Sequence, residues 1–277
     1  MKAKSLTLNH TLSGNPSAPS CLLFIHGFAC DANDWYHQVA YFAHDYQILT
    51  CSLRGHGKSD RADSLQQFDI PTLAQDIVNL LDKLMLNKKI IAIGHSMGAR
   101  VALELSYLVA QSIKGLILID CGYSLVTNPD FNEIQNKLFP NDFQSSMLEL
   151  FRQMFLANTS KATQDHVISN ISTFRKAVGL SLLPNTILYD YYTMGKVLKL
   201  IDIPILAIQA SLRKNGNRCP ISDVTNAHSE WLDLLKNLPT VKIKLIPNCG
   251  HFIMLEQAEI TNLTISTFLL QSNLQNS

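Results

Sequence analysis

A serine flanked by glycines stands between an apolar run and a run of good helix formers. The stretch reads Gly94-His95-Ser96-Met97-Gly98, after Lys89 to Ile93 and before Ala99 to Leu105. A strand that turns this sharply into a helix lifts the serine hydroxyl above the sheet edge and aims the next backbone N–H at a developing negative charge. The sequence therefore predicts Ser96 as a nucleophile and the Met97 N–H as a donor to an oxyanion.

A second motif, Phe24-Ile25-His26-Gly27-Phe28, runs from a strand into a His-Gly-aromatic turn. Acyl transfer needs two donors for the negative charge that develops on the carbonyl oxygen, and the Phe28 N–H is in position to be the second. We expect His26 to hydrogen-bond the loop backbone and to take no part in the chemistry.

A general base is also required, because a serine hydroxyl is a weak nucleophile near neutral pH. His251 lies in Asn248-Cys249-Gly250-His251-Phe252, directly after the last predicted strand. We predict that it takes the serine proton. Several other histidines lie in predicted loops or helices and are expected to be surface or structural residues: His10, His37, His44, His56, His166 and His228.

The elements that must position these residues follow an α/β pattern. Short apolar runs alternate with longer helical patterns, which is typical of a mostly parallel sheet covered by helices. Strands are predicted at residues 20–25, 46–53, 89–94, 114–119, 204–209 and 241–246. Residues 4–8 and 10–12 suggest an additional antiparallel hairpin at one edge.

One segment breaks the alternation. Residues 122–200 contain no convincing core strand and have the periodicity of amphipathic helices. Helices are predicted there at residues 132–139, 143–156, 163–182 and 186–194. The sequence therefore predicts a core domain in two parts, residues 1–121 and 201–277, with a helical cap between them at residues 122–200.

Composition limits the kind of partner. The chain has 277 residues, 47% of them apolar, and a formal net charge of +1, which favours neither nucleic acid nor an anionic membrane surface. It has no stretch of membrane-spanning length, so stable membrane insertion is not expected. The six cysteines lack the spacing of a metal or redox motif, which suggests free thiols in the cytoplasm. We expect a small-molecule ester as partner, with no metal and no cofactor; the oligomeric state stays open.

Four motifs together resemble the α/β-hydrolase superfamily. They are His26-Gly27-Phe28, the turn from Arg54 to Ser59, the stretch Gly94 to Gly98, and Gly250-His251-Phe252. The resemblance implies a mostly parallel central sheet flanked by helices, a cap inserted after the strand that ends at Asp120, and an esterase-like or lipase-like serine hydrolase with a catalytic triad and an oxyanion hole. A serine at the turn argues against the dehalogenase and epoxide hydrolase branches, which need a carboxylate nucleophile.

The triad acid is harder to find. In most members of that superfamily it is an Asp in the loop after the penultimate strand, but here residues 210–220 contain no carboxylate, and the first is Asp223. Asp120 ends the strand next to the serine turn, where some members of the superfamily carry their acid. We therefore favour Asp120, with Asp223 as the alternative acid.

Other outcomes stay open at the acid position. Asn215 or Asn217 could replace the acid as a neutral partner of His251, or no third triad member exists. Three basic residues of the same segment, Arg213, Lys214 and Arg218, are expected in a solvated loop.

The leading hypothesis is a capped serine hydrolase that cleaves a carboxylic ester, or a related acyl or C–C bond, of a small apolar substrate through an acyl-enzyme. One alternative is a cofactor-free dioxygenase of the same fold, in which His251 acts as base beside Asp120. Another is a non-enzymatic small-molecule binder with a degenerate triad.

Overall fold

The computed structural model describes residues 6–60, 68–122, 128–214 and 217–274, and its centre is a seven-stranded sheet. The strands of this sheet are β1 (His10–Gly14), β2 (Ser20–Ile25), β3 (Gln47–Cys51), β4 (Lys89–His95), β5 (Ile113–Ile119), β6 (Ile205–Gln209) and β9 (Val241–Leu245). Their order across the sheet is β1-β3-β2-β4-β5-β6-β9, and every pair is parallel except β1 with β3. The predicted fold class is therefore confirmed.

The central strands form because their residues can be buried on both faces. Every residue of β2 and β3 is buried. In a parallel sheet covered by helices on both sides, such strands have continuous apolar runs instead of alternation. All six predicted core strands are present, with ends that differ by at most two residues. The predicted edge hairpin is present only in part: residues 10–12 belong to the antiparallel edge strand β1, which pairs with β3, whereas residues 6–9 are not a strand and residues 1–5 lie outside the described part.

Helices connect the strands and cover the sheet. Those of the core are α1 (Tyr36–Phe42), α2 (Ile70–Leu84), α3 (Met97–Leu108), α9 (Glu230–Lys236), α10 (Ile253–Glu256) and α11 (Ala258–Gln271). In α2, Leu73, Ile77 and Leu80 are buried at helical spacing. The Asp69 carboxylate caps this helix by accepting the Thr72 N–H.

Residues 128–200, which follow β5, contain no strand and are called the insertion below. Five helices lie in this range. They are α4 (Phe131–Leu138), α5 (Phe143–Arg152), α6 (Lys161–Thr173), α7 (Lys176–Tyr189) and α8 (Gly195–Leu200), with a π-helical turn at Asp190–Met194 before α8. The single helix predicted at 163–182 is wrong, because Phe174 and Arg175 have extended backbones that separate α6 from α7. The helix predicted at 186–194 is the end of α7 and the π-helical turn.

A short hairpin follows β6, where the sequence predicted a solvated loop. Strands β7 (Ser211–Lys214) and β8 (Asn217–Pro220) pair in antiparallel fashion outside the main sheet.

No helix in the described ranges is both long enough and apolar enough to cross a membrane.

The sheet order creates a crevice at the carboxyl ends of β2 and β4. In the sheet, β3 lies on one side of β2, and β4 with the later strands lies on the other side of β2. The direction in which strands are added therefore reverses between the neighbouring strands β2 and β4. Ligands of open α/β sheets bind at such switch points. Ile25 pairs with Gly94, and His95 pairs with Ile119, so the residues that follow β2, β4 and β5 meet at one edge.

Buried polar contacts join the insertion to the core. Arg100 of α3 forms two hydrogen bonds with the Asp190 carboxylate, and the same guanidinium donates to the backbone carbonyls of Ser96 and Gly122. Tyr189 donates its hydroxyl to Glu104 over 2.8 Å. Because both side chains of the Arg100–Asp190 pair are buried, the π-helical turn is tied to the helix that begins beside Ser96.

Replacing Arg100 should destabilise the protein strongly. Arg100→Met leaves Asp190 as a buried carboxylate without its guanidinium, which typically costs about 3–5 kcal/mol. The matched control is Lys161→Met, which breaks the exposed Lys161–Asp165 pair and should cost no more than about 0.5 kcal/mol. Urea unfolding of the two variants measures both values. Equal losses would mean that the Arg100–Asp190 pair contributes no more than a surface pair.

A second contact between insertion and core should depend on pH. His166 of α6 lies 2.8 Å from the buried Asp34 carboxylate, and this hydrogen bond, with the charges of Asp34 and Asp31, raises the pKa of His166 against the opposing effect of burial. A raised pKa stabilises the folded state below the ordinary histidine pKa, and the contribution is lost as pH rises through the raised value.

The free energy of unfolding should therefore differ most between wild type and His166→Gln near about pH 6, and the difference should shrink towards about pH 9. His228→Gln is the control, because His228 forms a largely exposed pair with Asp233. Denaturant titrations at several pH values would contradict the prediction if the two variants behaved alike.

Candidate active site

The backbone of Ser96 adopts a conformation that few residues other than glycine tolerate. Its φ is 53° and its ψ is −112°, at the junction of β4 and α3. Such a conformation costs about 1–3 kcal/mol and persists where surrounding contacts impose it. Here the Ser96 N–H donates to the Ile119 carbonyl over 2.8 Å, which fixes the turn to the end of β5.

The two glycines of the motif are required by close backbone approach. A Cβ on Gly94 would lie 2.2 Å from the Gly98 carbonyl oxygen, and a Cβ on Gly98 would lie 2.2 Å from the Ile25 carbonyl oxygen. No side chain fits at either position without moving a strand or a helix. The glycines thus set how closely α3 crosses β2 and β4, and they keep Ser96 at the edge of the sheet.

Two backbone N–H groups are available beside Ser96. Met97 is the first residue of α3, so its N–H has no acceptor within the helix. The turn after β2 holds Phe28, and within the described ranges no residue accepts its N–H. Because β2 and β4 are neighbours in the sheet, both groups belong to the same crevice.

Two buried histidines hold the turn that contains Phe28. His56 accepts the Ala29 N–H at Nε2 over 3.2 Å and donates Nδ1–H to the Arg54 carbonyl, while His26 accepts the Leu53 N–H and donates to Gly27. Burial lowers the pKa of His26 to about 4 and that of His56 to about 3, so both rings are neutral and can accept. His26 therefore has the backbone role that was predicted.

His56 is thus structural, one of the two roles expected of it, but its contact with the turn that contains Phe28 was not predicted. Its position in the turn from Arg54 to Ser59 was the available signal.

His251 and Asp120 form a buried pair. His251 Nδ1 lies 2.6 Å from Asp120 Oδ2, and the side chains are 2% and 0% exposed. Burial alone would raise the pKa of Asp120, but the hydrogen bond from His251 and the Arg218 charge lower it well below its usual range. The carboxylate is therefore ionised and can only accept, so the imidazole carries a proton on Nδ1, and in the neutral form of the ring it is Nε2 that has the lone pair.

The Asp120 carboxylate receives donors on both oxygens. Oδ1 accepts the N–H groups of Ala210 and Ser211 at 2.9 Å and the Gln209 amide at 3.0 Å. Besides His251, Oδ2 accepts the Ser211 hydroxyl and Nη1 of Arg218 at 2.7 Å. This network makes the residues around β7 and β8 the support of Asp120 and not a solvated loop.

The expectation for Arg218 was therefore wrong. Its side chain is only 11% exposed, since it is paired with the carboxylate. A hairpin that covers a buried Asp could not be inferred from the local sequence alone.

The alternative acid, Asp223, lies elsewhere. It is exposed, and its carboxylate accepts hydrogen bonds from Thr225 and Asn226 in its own turn. Asn217 starts β8 opposite Lys214, and Asn215 lies outside the described residues. The side chain that holds His251 Nδ1 is thus that of Asp120.

Three consecutive N–H groups of the His251 loop are held in place. Glu256 accepts the N–H groups of Gly250 and Phe252, and the His251 N–H donates to the Met154 carbonyl of the insertion over 2.9 Å. Thr159, also in the insertion, donates to Glu256 over 2.6 Å. Glu256 was not singled out from the sequence, where its spacing of five residues from His251 was the only sign.

The ring of His95 packs against that of His251. Their centroids are 4.5 Å apart, and His95 Nε2 donates to the His251 carbonyl over 2.9 Å. Burial lowers the pKa of His95 to about 3, so this second imidazole is neutral and adds no charge beside His251. In the described part of the chain, no group of three or more His, Cys, Asp or Glu side chains could hold a metal ion.

A cavity of about 740 Å³ lies in the insertion, away from these residues. It is lined by Asp69 and by side chains of α4 and α7, among them Phe131, Gln135 and Leu180. Ser96, Asp120 and His251 do not line it, so the chemistry of the Ser96 crevice gives this cavity no role.

Comparison with known proteins bears on the fold of this chain. The sequence profile of the alpha/beta hydrolase fold family matches residues 21–186, more than half of the chain. The chain is 25% identical over 271 residues to the dihydrolipoyllysine-residue acetyltransferase component of the acetoin cleaving system of Pseudomonas putida, covering 93% of this chain and 65% of that protein.

It is 28% identical over 179 residues to epoxide hydrolase 4 of Mus musculus, covering 62% of this chain and 48% of that protein. The chain thus matches between about half and two thirds of the length of these two curated relatives.

A solved structure described as Est816, an N-acyl homoserine lactone degrading enzyme, superposes with a TM-score of 0.75 and 20% identity, over 96% of this chain and 98% of that one. At this identity the similarity concerns the fold. Since the family profile covers the strands and turns that carry Phe28, Ser96 and Asp120, the chain belongs to the alpha/beta hydrolase fold family.

Proposed function

We propose that the protein is a serine hydrolase that cleaves a carboxylic ester of a small apolar substrate through an acyl-enzyme. The observation that carries the proposal is the hydrogen bond of 2.6 Å between His251 Nδ1 and the ionised Asp120, at the sheet edge where Ser96 stands on a strained turn. A nucleophile, a base in the required tautomer and a residue that orients the base are the parts that acyl transfer from serine needs.

In the first half-reaction, Ser96 Oγ attacks the ester carbonyl carbon while His251 Nε2 takes the hydroxyl proton. Negative charge develops on the carbonyl oxygen, and the N–H groups of Phe28 and Met97 stabilise it. The imidazolium is stabilised by Asp120, whose carboxylate stays ionised. The bond to the leaving alcohol then breaks, and His251 returns the proton to the alkoxide oxygen, which leaves an ester between the acyl group and Ser96.

In the second half-reaction, water takes the place of the alcohol. His251 Nε2 removes a proton from the water as it attacks the acyl carbon, and the same two N–H groups stabilise the second oxyanion. Collapse of this intermediate releases the carboxylic acid, and the proton on His251 returns to Ser96 Oγ. The steps balance without a metal or an organic cofactor.

The nucleophile supports an ester substrate over an epoxide. Covalent opening of an epoxide in this fold uses a carboxylate nucleophile, whereas residue 96 is a serine. The solved relative described as an N-acyl homoserine lactone degrading enzyme has a substrate that contains a cyclic ester, which supports an ester or lactone as the substrate class.

We propose that the insertion is the cap of this site. Phe174, in the segment between α6 and α7, packs edge-to-face on Phe28 with ring centroids 5.2 Å apart, so the insertion meets the turn that carries one of the two oxyanion donors.

A cytoplasmic location is proposed on chemical grounds, because all six cysteines are free thiols.

Replacing Ser96 and Asp120 one at a time should separate their roles. With short-chain p-nitrophenyl esters, Ser96→Ala should abolish the acyl-enzyme, and Asp120→Asn should lower kcat by about 10⁴, because the imidazole loses the acceptor that fixes its tautomer. The matched control is Asp223→Asn, at an exposed carboxylate, which should stay within about twofold of wild type.

Steady-state kinetics and labelling with a fluorophosphonate measure these effects. Unchanged hydrolysis by Ser96→Ala would refute the mechanism. Oxygen uptake with a heteroaromatic substrate, together with failure to hydrolyse any ester, would favour a cofactor-free dioxygenase. Ligand-induced thermal stabilisation without turnover or labelling would favour a binding protein.

A further inference from the structure

Arg218 shares an acceptor with His251. Its Nη1 lies 2.7 Å from Asp120 Oδ2, and the same oxygen accepts His251 Nδ1–H over 2.6 Å. Arg218 Nη1 also donates to the Ser211 hydroxyl, which itself donates to Asp120. A guanidinium and an imidazole that bind one oxygen must lie within roughly 5 Å of each other, a range in which charges shift one another's protonation strongly.

The contact of Arg218 with Asp120 changes the net charge of the group formed by Asp120, His251 and Arg218. Asp120 alone would offset the positive charge of a protonated His251. With Arg218 on the same oxygen, Asp120 is already balanced before His251 takes up a proton, since a guanidinium stays charged in proteins. Protonation of His251 then adds an unbalanced positive charge at a site where all three side chains are largely buried.

The other neighbours of His251 do not cancel this effect. His95 is neutral, because burial lowers its pKa to about 3, and burial also raises the pKa of the Cys121 thiol to about 11. Arg100 is positive but is bonded to Asp190. The thiol of Cys249 is neutral because burial raises its pKa.

Glu256 is the nearest other acid on the His251 loop. Burial raises its pKa, and its carboxylate is engaged with the N–H groups of Gly250 and Phe252 and with Thr159. Among these charged groups, Arg218 is the one that shares an acceptor oxygen with the His251 imidazole.

We propose that Arg218 is a positioning residue that holds the Asp120 carboxylate and makes His251 a weaker base, so that the imidazole stays unprotonated and able to accept the Ser96 proton at lower pH than an Asp–His pair alone would permit. The inference rests on the proposed function for its kinetic test. It assigns a role to the hairpin of β7 and β8, which carries Arg218 into contact with an acid that belongs to another strand.

The test uses the acidic limb of the profile of kcat/KM against pH. Arg218→Gln removes the charge and keeps an amide donor, and its limb should move to higher pH by about 1 unit, the lower end of the shifts that a nearby charge produces. Arg218→Lys keeps the charge, and its limb should stay close to that of wild type. Arg152→Gln, at an exposed arginine of α5, is the control for losing a positive charge and should leave the limb unchanged.

A role limited to structure gives a different result. In that case Arg218→Gln and Arg218→Lys both lose activity at every pH, while the midpoint of the limb stays in place, and the proposal is overturned. Arg218→Met, which is closer in volume to the apolar stem of arginine, is the second neutral variant should Arg218→Gln not fold, and the same shift is expected of it.

A measurement without turnover keeps this test separate from the proposed function. The imidazole of His251 can be titrated by NMR in wild type and in Arg218→Gln, and its midpoint should rise in the variant whether or not an ester is hydrolysed. Identical midpoints would overturn the proposal. Absence of esterase activity with a shifted midpoint would refute the proposed substrate class and leave the role of Arg218 intact.

Discussion

The arrangement of the crevice depends on one buried carboxylate. Asp120 is fully buried and ionised, and an isolated carboxylate in that position would be very unfavourable. It is tolerated because donors surround it: backbone N–H groups after β6, a hydroxyl, an amide, an imidazole and a guanidinium. These donors come from three separate segments, so the same interaction that stabilises the charge also fixes β6, the hairpin and the His251 loop relative to β5.

Neutral histidines form much of the remaining framework. His26, His56 and His95 are buried, and burial keeps their rings uncharged, so each can donate from one nitrogen and, for His26 and His56, accept at the other. They connect turns that follow different strands without adding charge to the crevice. Around the crevice, imidazole thus has two uses: His26, His56 and His95 form fixed hydrogen bonds between loops, and His251 is paired with the ionised Asp120 carboxylate.

The sequence was most informative where a local rule acts. Period and composition predicted the six core strands, and the steric demand of a sharp strand-to-helix turn predicted the glycines around Ser96. Asp120 was favoured because it ends the strand next to the serine turn, because residues 210–220 contain no carboxylate, and because some members of the superfamily carry their acid at this place. The contacts of Arg218 with Asp120 and of Arg100 with Asp190 were not predictable, since each joins residues about ninety or more positions apart through packing that no local pattern encodes.

The His251 loop has a further consequence for how such proteins can diversify. Its central N–H is accepted by Met154, and Glu256 receives a hydroxyl from Thr159, so two atoms that hold the loop belong to the insertion. A chimera that exchanged residues 128–200 for the corresponding segment of a relative would therefore exchange part of the scaffold of the imidazole as well as the helices of the insertion. Compatible grafts must supply a carbonyl and a hydroxyl at those two points, which narrows the set of insertions that this core can accept.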